Sequence, residues 1–308
     1  MTLSFRLGKI PVRVLPSFFL MTVFFGMSDT NLGVLAGWVA VVFASVLVHE
    51  LGHAAVGLSF GLAPRIDLHG MGGTTSWSTP GELTAVRRIA ISLAGPGAGF
   101  CVAALVRYGI GPGAFPDTPA WNSIYESLLF VNFGWGVLNL LPMLPLDGGN
   151  VMTQVLNLFT HGRGERPARY VSVGVAALAI PAALLMRNWW AGILAASFLA
   201  SNWRGLKDLA AREHDAPMRD SLKQAYEALD AKDGPRVLEL ARPVALGSRT
   251  APVRAEALQL LAFGFLLDGR VADADAAIAA LPKGFSPHPS LLQLRETTAT
   301  APVPVAQS

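Results

Sequence analysis

The run Val48-His49-Glu50-Leu51-Gly52-His53 holds the residue types that metal-assisted hydrolysis needs. In a helix, residues four apart share a face, so His49 and His53 can direct two imidazoles at one zinc ion. Glu50 can then lean over a water at that metal and take its proton. Catalytic zinc takes three protein ligands and leaves a fourth position for water, so two histidines are an incomplete set. Asp147, in Leu146-Asp147-Gly148-Gly149, is the candidate third ligand: a carboxylate beside glycines that would let it turn back towards the histidines. An ordinary turn aspartate is the alternative reading of Asp147. For the histidines the alternative is a satisfied pair packed between helices, which leaves Glu50 unexplained in apolar surroundings.

Those surroundings are apolar because Leu32 to Leu47, directly before the motif, carries only Ser45 as a clearly polar side chain. Ionisable groups at bilayer depth cost roughly 2.5–3.5 kcal/mol each on insertion scales, which makes them functional candidates. The whole chain agrees. Of 308 residues, 52% are hydrophobic and 15% charged, and mean hydropathy is +0.44, whereas soluble domains carry about a quarter charged residues. The single cysteine, Cys101, excludes an intrachain disulfide framework and reads as packing. A net charge of +3 comes with no nucleic-acid motif and is explained by where the positive charges fall between spans.

Six apolar stretches follow in order: Val14–Met27, the helix carrying His49 and His53, Ile89–Val106, Ile124–Leu141, Val171–Met186 and Trp189–Trp203. Residues 61–88, glycine-rich and polar, separate the second and third and read as a β-hairpin or small sheet; His69 there reads as a solvated turn histidine. The expected fold is therefore a polytopic α-helical membrane protein of about six transmembrane helices with this small sheet, followed by a C-terminal all-α soluble domain. Arg6, Lys9, Arg13, Arg65, Arg87, Arg88, Arg163, Arg166, Arg169, Arg204, Lys207 and Arg212 fall in one set of connections, and Arg107 and Arg187 in the other. The positive-inside rule then predicts both termini in the cytoplasm and brings His49, His53 and Asp147 to one depth; a bacterial inner membrane is the expected location.

Beyond Arg204 the composition becomes that of a soluble helical domain. Leu222, Ala225, Tyr226 and Leu229 make a helical stripe, which Leu258, Leu261, Ala262 and Phe265 repeat 36 residues on, with Asp233-Gly234 and Asp268-Gly269 as punctuation. The pattern resembles tetratricopeptide hairpins; a generic helical bundle is the alternative. The expected organisation is a membrane metalloprotease domain over 1–205, a linker over 206–216, a cytoplasmic helical-repeat domain over 217–295 and a Thr/Ala/Pro-rich disordered tail over 296–308.

His49-Glu50-Leu51-Gly52-His53, followed on a separate span by Asn139-Leu-Leu-Pro-Met-Leu-Pro-Leu-Asp147-Gly-Gly149, resembles the two motifs of the site-2 protease family of intramembrane zinc metalloproteases. Gly70–Gly73 and Gly95-Pro96-Gly97 are similar to further family features, and the resemblance covers roughly residues 1–205. It implies one zinc ion held by His49, His53 and Asp147, with Glu50 catalytic and Asn139 against the substrate backbone. Gly72 and Gly73 are candidate substrate contacts in the same segment. The implied substrates are single-span signalling proteins such as anti-sigma factors or membrane-bound transcription factor precursors, trimmed beforehand by another protease. The helical tail departs from family members with other regulatory domains, and a protein partner is expected there. A zinc-binding transporter or non-proteolytic scaffold is the competing class; a transporter needs no general base, and a scaffold would be free to lose Glu50 or Asp147.

Overall fold

The structure, a computed structural model, describes residues 2–27, 31–78, 83–114 and 116–300. It divides into two compact units, Met1–Trp203 and Arg204–Ser308.

The first unit begins with a hairpin of β1 (Leu3–Leu7) and β2 (Ile10–Val14), where the sequence suggested only the cationic flank of a first span. Ile10, Val12 and Val14 point inward while Arg13 points out, an alternation that a strand requires. A short apolar helix, α1 (Pro16–Gly26), follows. Then comes α2 (Leu32–Ser59), capped by the Asn31 carboxamide oxygen, which accepts from the Gly33 and Val34 amides. Its 28 residues extend for about 42 Å, more than the roughly 30 Å of a bilayer's hydrocarbon.

The expected β segment is a hairpin of β3 (Pro64–His69) and β4 (Gly72–Trp77), joined to the N-terminal hairpin in one sheet of order β1-β2-β3-β4. The β2/β3 pair is parallel, and there Arg13 lies opposite Asp67 and donates to it at 2.7 Å. Val12, Ile66 and Leu68 are fully buried and pack with Phe18 of α1 and Ala54 of α2, each contributing roughly 1.5–3 kcal/mol. This packing fixes the sheet against the helix that carries the histidines. Among the described residues, β4 pairs only with β3, so its outer edge has no strand partner.

Helix α3 (Ala85–Ala104) continues as a π-helical stretch, Leu105–Ile110. The expected fourth span is broken into α4 (Pro119–Leu129), a π-helical stretch (Phe130–Gly134) and α5 (Trp135–Asn139). Next are α6 (Asp147–Thr160), an amphipathic helix in a region read from sequence as a connection, α7 (Glu165–Leu185) and α8 (Trp189–Asp215), which begins in the first unit and ends in the second. Among the described residues, three helices, Leu32–Ser59, Ala85–Ile110 and Glu165–Leu185, are long and apolar enough to cross a membrane. Leu20, Leu105, Tyr108, Leu178 and Leu185 are exposed, as lipid-facing side chains would be. Cys101 is also exposed on α3, not packed inside as its apolar run suggested.

The second unit contains α9 (Met218–Asp230), α10 (Gly234–Gly247), α11 (Ala251–Leu267), α12 (Val271–Ala279) and α13 (Pro289–Thr300). Leu222, Val237, Leu260, Phe265 and Leu291 belong to one core within this unit. The two Asp-Gly turns meet: Asp233 caps α10 through the Arg236 amide, and the Asp268 carboxylate lies against Gly234, where a Cβ would come within 2.4 Å of it. Helix α13 continues past Glu296, where the sequence predicted a disordered tail; residues 301–308 of that tail lie outside the described residues.

Candidate metal centre

The two histidines stack one turn apart on α2, their rings at 82° and their Nε2 atoms 3.1 Å apart. His53 Nδ1 lies 2.6 Å from the Ile91 carbonyl of α3. A carbonyl only accepts, so Nδ1 carries the proton and Nε2 is left with a lone pair, the tautomer a metal ligand needs. Asp147, first residue of α6, brings Oδ2 within 3.1 Å of His49 Nε2 and Oδ1 within 3.4 Å of His53 Nε2. The three ligand atoms lie within 4.8 Å of one another. Two imidazole nitrogens and a carboxylate converging this closely form a donor set that fits a divalent cation, with zinc's preferred ligand chemistry.

Gly95 of α3 makes room for the pair, since a Cβ there would lie 2.3 Å from His53 Nε2 and 2.8 Å from His49 Nε2. Asp147 is brought in by Gly148 and Gly149, whose Cα atoms face backbone of residues 140–144; a Cβ on Gly148 would come within 2.1 Å of the Leu140 carbonyl oxygen. These glycines therefore act by close approach to the preceding loop.

Glu50 is buried, 5% exposed, and its Oε2 accepts from the Thr75 hydroxyl of β4 at 2.7 Å. Gly73 lies against the same carboxylate, where a Cβ would be 2.5 Å from Glu50 Cγ. The sheet thus holds the candidate base from one side while α2 presents it from the other. A cavity of about 640 Å³ opens onto His49, Glu50, His53 and Asp147, and Gly72, Gly73 and Asn139 line it as well. His69 also lines it, hydrogen-bonded to the Thr74 hydroxyl at 2.8 Å, and is not among the clustered ligand atoms. Thr75 and the Ile91 carbonyl carry no sequence signal of a site, because their partners lie 25 or more residues away, whereas Gly95 belongs to the Gly95-Pro96-Gly97 run noted in the sequence.

The H-E-x-x-H helix and the L-D-G-G helix start meet within one apolar helical unit, the arrangement that the resemblance to site-2 proteases implies. The solved structure of a site-2 protease from Methanocaldococcus jannaschii shares this fold, with a TM-score of 0.51 and 21% identity over 67% of this chain and 95% of that one. Residues 113–181 match the model of peptidase family M50. A Synechocystis sp. protein described provisionally as a zinc metalloprotease is 29% identical over 254 residues, 74% of this chain and 64% of that protein. A zinc metalloprotease of M. jannaschii is 26% identical over 161 residues, half of this chain and 44% of that protein. The matched region therefore spans less than two thirds of either relative's length. Motif pair, family-model match and fold together make the chain similar to peptidase family M50 and to a site-2 protease of known structure.

Proposed function

We propose that this chain is an intramembrane zinc metalloendopeptidase, which hydrolyses peptide bonds within or next to transmembrane segments of membrane-anchored signalling proteins. The observation that carries the reading is the convergence of His49, His53 and Asp147 with a buried carboxylate, Glu50, one residue along the same helix. When bound, zinc supplies a Lewis acid that makes water a usable nucleophile near neutral pH. Glu50 would take a proton from the attacking water and return it to the leaving amine, while the Thr75 hydroxyl keeps the carboxylate oriented. A transporter or scaffold has no use for a base held in this way.

A helical substrate hides its backbone groups, so it must become extended before attack. The open edge of β4 offers main-chain pairing for such a segment, with Gly72 and Gly73 beside the cavity and Asn139 on its wall. In this reading residues 1–205 are the protease domain with about six spans, 206–216 a linker and 217–295 a helical-repeat domain that binds a protein partner. Both termini are cytoplasmic in a bacterial inner membrane, and substrates are single-span anti-sigma factors or transcription factor precursors. The loop-charge asymmetry supports that orientation.

Glu50→Gln tests the chemistry, because the amide keeps size and polarity but takes no proton. Zinc content should stay near one ion per chain while cleavage of a single-span reporter falls by roughly two to four orders of magnitude. Near-normal cleavage by this variant would overturn the proposal.

A further inference from the structure

We infer that Ser172 and Asn202, outside both sequence motifs, are positioning residues for Asp147: they hold the peptide groups of Leu144 and so determine how firmly the metal is retained. The inference rests on reading His49, His53 and Asp147 as the metal ligands.

Leu144 lies in the irregular stretch between α5 and α6, three residues before Asp147. Irregular backbone among apolar helices needs partners for its freed polar groups. The Leu144 N–H donates to Ser172 Oγ of α7 at 2.9 Å, and the Leu144 carbonyl accepts from Asn202 Nδ2 of α8 at 2.7 Å. Ser172 is 0% and Asn202 1% exposed, so water does not compete for these bonds.

The polarity of each bond is fixed. The Ser172 hydroxyl gives its proton to the Ala168 carbonyl at 2.8 Å, which leaves its oxygen to accept from Leu144. The Asn202 amide nitrogen donates to both the Leu144 and Phe198 carbonyls, while its Oδ1 is buried with no partner among the described residues. A flipped amide would set that oxygen against two carbonyls. Leaving a buried acceptor unpaired is costly, and a leucine would fill the same volume without that penalty. What an asparagine adds here is therefore its grip on Leu144.

That grip reaches the ligand through a short path. The Leu146 amide donates to the Met143 carbonyl at 2.9 Å, closing a turn around Leu144, and the Leu146 carbonyl accepts from Asn150 at 3.0 Å, starting α6. Gly149 lies against Leu144 N on the other side. Movement of Leu144 would therefore move the helix start that carries Asp147.

The test uses purified full-length protein loaded with zinc, with release to a chromogenic chelator followed in wild type, Ser172→Ala, Asn202→Leu and the double variant. Thr22→Val is the control for general destabilisation, because the Thr22 hydroxyl is buried and, among the described residues, bonds only to Phe18 of its own helix. Outer partners of metal ligands typically change affinity 10- to 100-fold, so release should be roughly 10- to 100-fold faster in both single variants and unchanged in the control. The double variant should fall short of the product of the singles, since both hold one residue. Cobalt-loaded protein gives a second readout, as its visible bands report ligand geometry and should shift in the two variants. If Asn202→Leu does not fold, the smaller change Ser172→Ala decides. A wild-type protein that binds neither ion overturns the metal-site reading itself. If wild type holds zinc, then unchanged release with unchanged cobalt bands overturns the clamp alone. So does faster release matched by Thr22→Val with unchanged bands, which would assign a merely structural role.

Discussion

Gly95 and Gly73 each sit where a side chain would touch the site, but they touch different parts of it. A methyl at 95 would press on His53 Nε2, and the ring cannot swing aside while Nδ1 is held by the Ile91 carbonyl. Gly95→Ala should therefore lose zinc, read by metal analysis of the purified protein. A methyl at 73 would press instead on the Glu50 side chain, which is flexible enough to move without disturbing the histidines. Gly73→Ala should keep zinc and lose cleavage by roughly a hundredfold, the scale expected for an ångström of misplacement. Equal zinc loss in both variants would refute this separation. The candidate ligands were legible in the sequence because His49 and His53 share a helix face and Asp147 sits in a recognisable glycine turn. Thr75, Ser172 and Asn202 were not, since each acts on a residue 25 to 58 positions away and no local pattern marks that contact.

At the scale of elements, α2 was readable from its unbroken apolar run, while β1 and β2 were hidden by their charges. Arg6, Lys9 and Arg13 suggested the flank of a span, although the alternation of Ile10, Val12 and Val14 was already that of a strand. Helix α6 was missed because Asp-Gly-Gly reads as a turn, and only packing against the preceding loop makes it a helix start. The sheet gives a prediction of its own. Proline at outward-facing amides of β4 removes donors from the open edge, so a proline scan there should lower cleavage at constant zinc content; unchanged cleavage throughout would remove the edge from substrate binding. In the second unit Asp215 gives another. Burial alone would raise its pKa, but the Thr250 hydroxyl, the Arg249 and Thr250 amides and His214 outweigh burial and hold the carboxyl well below the usual carboxylate range. A lowered folded-state pKa means stability that is fully present above the ordinary carboxylate pKa, about 4, and is lost as pH falls from there towards the lowered value. Hydrogen exchange at the start of α11 should accelerate over that acid range in wild type. In Asp215→Ala, which should cost about 2–3 kcal/mol, exchange should be fast already at neutral pH.

Over the whole molecule, two units with separate cores carry different expectations. The repeat of Leu222 and Leu258 was visible because a helical stripe and an Asp-Gly turn are local signals. Helix α13 was not, because its Thr/Ala-rich end resembles a linker and only the burial of Leu291 in the core commits it to structure. From the sequence, two hairpins bury too little to stand alone; the observed unit completes its core with a fifth helix of its own, which reduces the need for a partner to make it fold. The proposed partner is then better understood as something this unit recruits, on the cytoplasmic side that the proposed orientation gives it. Removing everything after Arg212 should leave zinc content and Glu50-dependent cleavage in place, because every residue assigned to the site lies before that point. What should change is selectivity: some substrates cut by the full chain should be cut more slowly, or others faster, when single-span reporters are compared in cells at matched expression. Identical rates for the truncated and full-length proteins on every reporter would make the helical unit a passenger on the protease and end its proposed role in choosing substrates.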